Sequence, residues 1–248
     1  LDLPTLDNGM ELSSGQAHLH QQLLWAIDRD VSPAQADGIL EAFSATPQQG
    51  AEGLLRLVEE LVHGAPVAGA LPDGDAYFQR VVDLMVHLGP EPVGRILPLA
   101  DMSLATLTGA AGRDDATGAA VRFSLSRLLP VALVVDEAFY ARFDPGGALD
   151  LAAHSEQYLE DRGRLLLYIA QAGLRNEPVR EVTAEEPHAL RSIEWLDYAT
   201  GLSVLGHSIP SRHRYVFGSD GGDDLRGASP AYGEYGDHLH GRDGDDTL

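Results

Sequence analysis

The spacing of apolar residues divides the chain into a long helical part and a shorter part with β character. From residue 14 to about residue 179 the apolar residues recur three and four positions apart, which is the period of an α-helix. Two segments open with a capping residue followed by proline at the first helical position, at Ser32-Pro33 and Thr46-Pro47. We therefore predict a mainly α fold that begins with a helical bundle. The predicted helices lie at about residues 16–28, 32–43, 46–61, 76–88, 92–107, 120–135 and 154–172.

The hydrophobic pattern changes near residue 190. The stretch SIEWLDYATGLSVLG alternates Ile193, Trp195 and Asp197 and then has Thr200-Gly201 between two short runs. This predicts a β-hairpin with its turn at residues 199–201. The following HRYVF is a short aromatic and β-branched strand. We predict a helical domain at residues 1–185, a β-hairpin and strand connector at residues 186–216, and a Gly/Asp-rich segment at residues 217–248.

Composition limits the classes of function that this chain can have. The chain has 248 residues, of which 44% are apolar, and this is enough for one sizeable core or two smaller ones. The net charge of −21, from 38 acidic and 17 basic residues, argues against a nucleic-acid partner and favours cations. The chain contains no cysteine, which excludes disulfides, thiolate metal sites and cysteine nucleophiles.

The sequence shows no targeting or membrane segment. The opening LDLPTLDNGMELSSG has neither a basic nor an apolar region of the kind found in a cleavable signal peptide. No apolar run approaches the roughly 20 residues that a membrane helix needs, so no transmembrane segment is expected. Because the chain opens on leucine and stops abruptly, we expect it to be a piece of a longer polypeptide.

The Gly/Asp-rich segment carries a nine-residue pattern, G-G-x-G-x-D-x-U-x, in which U is apolar. The stretch GSDGGDDLR, residues 218–226, has Gly221 at the fourth place, Asp223 at the sixth and Leu225 at the eighth. The final stretch GRDGDDTL fits again at the first, fourth, sixth and eighth places, with Gly241, Gly244, Asp246 and Leu248. Between them, after a five-residue interruption GASPA, lies a degraded copy that keeps Gly236, Asp237 and Leu239.

This pattern suits a turn that binds a cation. Six residues make a tight turn in which glycine permits positive φ, and three make a short strand whose apolar residue points inward. Calcium takes oxygen ligands, and the turn offers backbone carbonyls together with the sixth-place aspartate. Without the ion the stacked aspartates repel one another, and the small apolar ladder cannot hold the turns closed. The segment is therefore expected to fold when Ca²⁺ binds.

These repeats resemble the glycine-rich repeats of the RTX family, the haemolysin-type calcium-binding proteins of Gram-negative bacteria. The resemblance implies a parallel β-roll in which each nonapeptide makes half a turn and Ca²⁺ lies between turns on the same side. On this basis Asp223 and Asp246 share one side, while Asp237 lies on the other and its partner repeat lies beyond residue 248. Further candidates at the third and fourth places are Asp220, Asp243, Gly221 and Gly244. An insertion such as GASPA is able to displace the two turns, so the sequence leaves open whether Asp223 and Asp246 meet.

The region before the repeats carries a second, broader resemblance. The helix YLEDRGRLLLYIAQ, the hairpin and RYVFGSD are similar to the helical segment that precedes the repeat array in large secreted RTX proteins. This implies a non-catalytic calcium-binding structural module, secreted by a type I route and ordered by extracellular calcium. The parent protein is then a toxin or hydrolase with a host-cell or membrane-surface target. Two alternatives stay open: a hydrolytic or lipid-binding site in the helical body, which a polar pocket favours, and a partner-binding surface, which an apolar patch favours.

Several residues match parts of known motifs. Ser208 in LGHSIP stands in a nucleophile-elbow pattern, but proline replaces the second glycine, which favours a connecting turn. Asp28 and Asp30 begin like a calcium-binding loop but lack the later glycine and acidic residue, so an N-terminal helix cap is the preferred interpretation. The Asp144-Pro145 bond is of the type that certain RTX proteins cleave in response to calcium. The stretch FDPGG also fits an ordinary turn, which we prefer.

Two groups of titratable residues offer further alternatives. Glu160 and Asp161, beside Arg162 and Arg164, could form an acid/base pair, but a solvated helix face with ion pairs is the simpler interpretation. Histidines alternate as a strand-borne metal pair does, in His18 with His20 and in His238 with His240. Helical phase separates the rings of the first pair, and the second pair holds outward-facing places of a repeat. A transition-metal site is therefore not favoured.

Overall fold

The chain forms two compact units, Leu1–Asn176 and Glu177–Leu248, which we call the helical unit and the repeat unit. The computed structural model describes residues 14–36, 38–39, 50–64, 74–142, 146–172, 179–181, 193–205, 213–219, 221–227, 236–241 and 246–247. The fold is mainly α, as predicted. No helix in these parts of the chain is both long enough and apolar enough to cross a membrane.

The helical unit buries a continuous set of leucine, isoleucine and valine side chains. The helices are α1 (Ser14–Ile27), α2 (Gly50–His63), α3 (Gly74–Leu88), α4 (Leu104–Ala111), α5 (Ala116–Arg127), α6 (Glu137–Ala141) and α7 (Glu156–Ala172). Helix α1 packs on α3, α2 also packs on α3, and α5 and α7 both pack on α4. Fully buried residues on them include Leu23, Leu24, Leu55, Val58, Val81, Leu107, Leu125, Leu165 and Ile169. These are the positions that the three- and four-residue spacing places on one helix face.

Polar side chains set the helix starts. Ser32 Oγ accepts a hydrogen bond from the backbone N–H of Gln35 (3.3 Å), and Gln35 Oε1 accepts one from that of Ser32 (2.9 Å). This reciprocal capping box confirms the helix start predicted at Ser32-Pro33. The cap predicted at Asp28 and Asp30 is wrong, because Asp28 follows α1 and its Oδ2 instead accepts a hydrogen bond from the distant Ile96 N–H (3.0 Å). Thr46-Pro47 lies outside the described residues.

The helical unit contains a two-stranded antiparallel sheet that the apolar pattern did not predict. Strands β1 (Arg95–Pro98) and β2 (Val131–Val134) pair with Ile96 opposite Leu133, where helices were predicted at residues 92–107 and 120–135. The second of those helices ends at Arg127, because Leu128 takes a left-handed conformation with φ 56° and Pro130 follows two residues later. The β-branched valines after it are then free to form β2.

The charged run on α7 is half buried, so the predicted solvated face is wrong for two of its four residues. Asp161 and Arg162 are each only 1% exposed. Arg162 donates from Nε to the carbonyl of Leu125 and from Nη2 to that of Ser126, both at 2.8 Å. These carbonyls belong to the last turn of α5, where the negative end of the helix dipole favours a cation. The neighbouring Glu160 and Arg164 do form the predicted surface ion pair.

The repeat unit contains a five-stranded mixed sheet. Its strands are β3 (Val179–Glu181), β4 (Ile193–Asp197), β5 (Leu202–Leu205), β6 (His213–Phe217) and β7 (Gly236–His240), and their order across the sheet is β3-β5-β4-β6-β7. Strands β4 and β5 are antiparallel, with Asp197 opposite Leu202, and they form the predicted hairpin. Its turn closes through Gly201, whose positive φ of 73° is a conformation that glycine tolerates. Strands β4, β6 and β7 are parallel neighbours.

Candidate metal site in the repeat turns

The parallel pairings align the repeat turns one above another. Strand β6 pairs with β7 so that Phe217 lies opposite His240, and farther along the chain Asp224 forms a parallel bridge with Thr247. The partners in both pairings are 23 residues apart, as are Asp223 and Asp246. This offset equals two nine-residue repeats plus the five-residue interruption. The insertion therefore does not displace the two turns that carry Asp223 and Asp246.

Backbone bonds hold these two turns in register. Leu225 N–H donates to the carbonyl of Thr247 (2.8 Å), and Thr247 N–H donates back to that of Asp223 (2.9 Å). Leu225, the apolar eighth-place residue, is 1% exposed. The inward position that the repeat pattern predicts for this residue is therefore observed.

The first-place glycines make room for the sixth-place carboxylates. A Cβ atom on Gly218 would lie 3.2 Å from Asp223 Oδ2 and 3.4 Å from the carbonyl oxygen of His240. A Cβ atom on Gly241 would collide with Asp246 Oδ2. Each aspartate therefore folds back over the first residue of its own repeat. This close approach gives the glycine at the first place a steric reason.

The structure brings Asp223 and Asp246 together on one side of the stack. The backbone N–H of Asp223 donates to Asp246 Oδ1 at 2.9 Å. In the Asp223 carboxylate, Oδ2 accepts hydrogen bonds from the N–H (2.6 Å) and the Oγ–H (2.9 Å) of Ser219. Ser219 Oγ in turn accepts a bond from Gly221 N–H (3.2 Å). One oxygen of each carboxylate is thus fixed by the turns, and the two acidic side chains come from successive layers.

No basic side chain neutralises this pair within the described residues. Arg226, the basic residue nearest in sequence, binds Asp224 instead, with Nε 3.0 Å from Asp224 Oδ2. Hydrogen bonding from Arg226 lowers the pKa of Asp224, and both side chains are exposed. The two carboxylates carry like charges in successive layers, and like charges repel each other. The Asp223–Asp246 pair is therefore a candidate site for a cation.

Asp237 lies in a different column of the stack, where a column means the residues at equivalent register positions of successive turns. Its register partner on β6 is Arg214, and the partner of Arg214 on β4 is Glu194. Asp237 Oδ2 lies 2.5 Å from where a Cβ atom on Gly227 would be. The charges of Glu194, Arg214 and Asp237 therefore alternate along this column. Asp237 has an arginine as its register neighbour, whereas Asp246 in the other column has Asp223.

The remaining predicted metal residues are placed as follows. Gly221 is exposed, at the surface of the first turn. Asp220, Asp243 and Gly244 lie outside the described residues. The metal-binding roles that the RTX resemblance implies for Asp220, Asp243, Gly221 and Gly244 therefore stay predictions.

Histidines 238 and 240 line one face of the sheet with aromatic residues of the preceding turn. The His238 ring centroid lies 4.7 Å from that of Tyr215, and His240 stacks on Phe217 at 5.2 Å with 14° between the planes. Tyr215 stacks in turn on Trp195. Trp195, Tyr215 and Phe217 are buried and both histidines are half-buried. The outward-facing positions predicted for His238 and His240 are therefore wrong, and the two rings extend an aromatic ladder.

The first histidine pair is separated as helical phase predicts. His18 is exposed, whereas His20 is fully buried on α1, where its Nε2 pairs with the hydroxyl of Tyr77. Burial lowers the pKa of His20 to about 4, so the ring is neutral at physiological pH. Ser208 and the Asp144-Pro145 bond lie outside the described residues.

A cleft of about 540 Å³ opens in the helical unit, and two of its polar side chains, Arg122 and Tyr140, hydrogen-bond to backbone carbonyls. Arg122 donates to the carbonyls of Ala111 (2.6 Å) and Leu149 (2.5 Å). The Tyr140 hydroxyl donates to the carbonyl of Leu133, and burial raises its pKa. The acidic lining residues are Asp114, Asp115 and Asp150. Among the described residues the lining contains no serine, threonine, cysteine, histidine or lysine, so they form no hydroxyl or thiol nucleophile paired with a histidine or lysine base.

Sequence reasoning missed the parts played by Ser219 and Arg214. Ser219 stands at the second place of its repeat, where the pattern has glycine, and that departure was the available signal. Arg214 could have been found by counting 23 residues back from Asp237, but that count requires the insertion to be included in the register. The nine-residue consensus specifies neither a serine at the second place nor an arginine at any place.

No protein-family model, curated protein or solved structure matches this chain. Its function must therefore be inferred from the geometry of its own residues.

Proposed function

We propose that the repeat unit is a calcium-binding module of the RTX type, in which one Ca²⁺ is held between successive turns by Asp223 and Asp246 with backbone carbonyl oxygens. The observation that carries this proposal is the 2.9 Å bond from Asp223 N–H to Asp246 Oδ1, which stacks two sixth-place aspartates across 23 residues. Three features of the turns support calcium as the ion.

The first feature is the type of donor. Calcium is bound by six to eight oxygen atoms from carboxylates, carbonyls and water. Asp223 accepts its hydrogen bonds at Oδ2 and Asp246 at Oδ1, and within the described residues no donor reaches Asp223 Oδ1 or Asp246 Oδ2. Each aspartate thus keeps an oxygen for a cation.

The second feature is charge. The pair contributes two negative charges without a basic partner in the described part of the chain, and the full chain carries −21. A divalent cation removes the repulsion between the two layers, so its binding energy contributes directly to closing the turns.

The third feature is the small size of the apolar ladder in these turns. Leu225 is the buried apolar residue of the first turn, and its backbone N–H donates to the carbonyl of Thr247 beside the Asp224–Thr247 bridge. Such a contact is too small to fix two glycine-rich turns, because glycine loses more backbone entropy on ordering than any other residue. Calcium is therefore the ordering ligand of these turns.

In this proposal the calcium concentration on each side of the cell envelope decides whether the repeats are folded. Low calcium inside a bacterial cell leaves the repeats open, which suits export by a type I route, and high calcium outside closes them. The helical unit then serves as a non-catalytic segment before the array. The activity and the host-cell or membrane-surface target belong to the parent protein.

Thermal unfolding of the whole chain with and without calcium tests this proposal. With 10 mM CaCl₂ replacing EDTA, a dissociation constant of about 100 μM stabilises the repeat unit by about 2.7 kcal/mol, which raises its melting temperature by several degrees. Asp246→Asn should abolish most of the shift. Asp224→Asn is the matched control, because it removes the same charge from an adjacent-register side chain that pairs with Arg226. An identical melting temperature in EDTA and calcium contradicts the proposal.

A further inference from the structure

We propose that the guanidinium of Arg214 is a built-in cation that takes the place of calcium in the second column of the stack. The inference rests on the proposed calcium site of the first column. It assigns different requirements to the two sides: the Asp223–Asp246 side needs calcium, and the side of Asp237 is held without it.

The first argument is where the guanidinium lies. Arg214 Nη1 donates to the backbone carbonyl of Arg226 at 2.9 Å and to that of Gly227 at 3.4 Å. These carbonyls belong to the chain that leaves the first repeat. Turn carbonyls are the oxygens that a calcium ion in such a repeat would otherwise use.

The second argument is the carboxylates around it. Arg214 Nε lies 3.2 Å from Glu194 Oε2, with Nη2 3.5 Å from Glu194 Oε1. Asp237 is the register neighbour of Arg214 on the opposite strand, and its Oδ2 lies against Gly227. One carboxylate and two carbonyls therefore contact this permanently charged group, and a second acidic residue holds the neighbouring register position.

The third argument is position within the repeat. Asp237 holds the sixth place of the degraded copy, and Arg214 stands one full turn earlier at the same register position. An uninterrupted array would place an aspartate at this position, just as the first column has Asp223 one turn before Asp246. The substitution of a cation for this aspartate turns a repulsive column into an alternating one, Glu194, Arg214 and Asp237.

Arginine is suited to this role for physical reasons. Its guanidinium stays protonated, and its planar set of five N–H donors can reach carbonyls and a carboxylate in different directions. The side chain is 25% exposed and Glu194 is 19% exposed, so the charges are partly shielded from water. Unlike calcium, this cation is present in every compartment. It therefore provides an ordered start on which the calcium-dependent turns can close.

Hydrogen exchange and calorimetry on the whole chain test the proposal with the variant Arg214→Gln. In EDTA we expect wild-type β6 and β7 amides to stay protected, and those of Arg214→Gln to exchange at least about tenfold faster. Because the vacated position offers Glu194, Asp237 and two carbonyls, millimolar calcium should restore this protection. The calcium stoichiometry should rise from one to two ions per chain.

Two further variants complete the test. Arg164→Gln removes the same charge from the surface ion pair with Glu160 and should behave as wild type. Arg214→Lys keeps a positive charge with fewer hydrogen-bond donors and should retain most of the amide protection in EDTA. If Arg214→Gln does not fold, the protection of Arg214→Lys tests the proposal instead.

The proposal is overturned if Arg214→Gln is as protected in EDTA as wild type, or if Arg214→Lys loses protection that calcium does not restore. If the proposed calcium site is wrong, wild type and Asp246→Asn will both fail to bind calcium. This result does not depend on how Arg214→Gln behaves, so the two proposals fail in different ways.

Discussion

Asp223 donates its backbone N–H to the carboxylate of Asp246 across 23 residues of chain. This bond identifies which turn lies on which, because a nine-residue repeat with half a turn per copy would otherwise place partners 18 residues apart. The five-residue interruption lengthens one turn and leaves the order of the stack unchanged.

Gly241→Ala should weaken calcium binding about tenfold or more. The added Cβ atom collides with Asp246 Oδ2, so the carboxylate must leave the position that faces Asp223. Gly236→Ala is the matched control in the same unit, because its Cβ atom would meet nothing nearer than 3.8 Å. Calorimetric titration measures both affinities. Equal affinities for the two variants would show that the position of the Asp246 carboxylate does not matter.

Ser219→Ala should weaken calcium binding by a smaller factor, about three- to tenfold. The variant removes the Oγ–H donor that fixes Asp223 Oδ2 and the oxygen that accepts from Gly221 N–H, and a single hydrogen bond contributes about 1 kcal/mol. The backbone N–H of Ser219 still binds the carboxylate, so binding should weaken without being lost. Ser203→Ala, on β5, controls for the loss of a hydroxyl in the same unit. An unchanged affinity in Ser219→Ala would remove Ser219 from the site.

Arg162→Ala should lower the free energy of unfolding of the helical unit by about 3 kcal/mol or more. Arg162 is 1% exposed and makes two charged hydrogen bonds to the end of α5, and each such bond contributes about 1.5–3 kcal/mol. Arg164→Ala, two residues away, breaks the exposed ion pair with Glu160, and an exposed pair of this kind contributes less than about 1 kcal/mol. Urea unfolding followed by helical circular dichroism measures the difference. Similar losses for both variants would contradict the structural role of Arg162.

Local patterns predicted much of the fold. The three- and four-residue spacing gave the helices, the Ser32-Pro33 cap marked a helix start, and the Thr200-Gly201 signal marked the hairpin. The fold elements that were mispredicted depend on contacts far apart in sequence. Pairing of β1 with β2 and burial of Arg162 under carbonyls 36 and 37 residues earlier are decided by tertiary packing, which a short window of sequence does not contain.

In the candidate site too, the sequence predicted the features that depend on local spacing and missed those that depend on contacts between distant residues. The nine-residue spacing identified Asp223 and Asp246, because glycine, aspartate and leucine at fixed places are a local requirement of the turn. The register between them depended on how an insertion is accommodated, which is a property of the stacked backbone. The partner of Asp237 was expected to lie beyond residue 248 on one side, and the structure shows that Arg214 is its neighbour on the other.

Acid should destabilise the helical unit through His20. Burial lowers the pKa of this ring to about 4 in the folded state, against about 6.5 when unfolded. The unfolded chain therefore binds the proton more readily, and the stability contributed at neutral pH is lost as pH falls from about 6.5 to about 4. The loss amounts to about 3 kcal/mol.

The variant His20→Gln isolates this contribution, because glutamine does not titrate while the carboxylates titrate in both proteins. The free energies of unfolding of wild type and variant should converge, or cross, as pH falls through this window. Parallel curves between pH 6.5 and 4 would show that His20 titrates normally.

Isothermal titration of calcium into the whole chain tests the central claim most directly. We predict saturable binding of one Ca²⁺ per chain, at least a tenfold loss of affinity in Asp223→Asn and in Asp246→Asn, and less than a twofold change in Asp224→Asn. The absence of saturable binding up to 10 mM calcium, or equal affinities in Asp246→Asn and Asp224→Asn, would contradict a calcium site formed by the stacked pair.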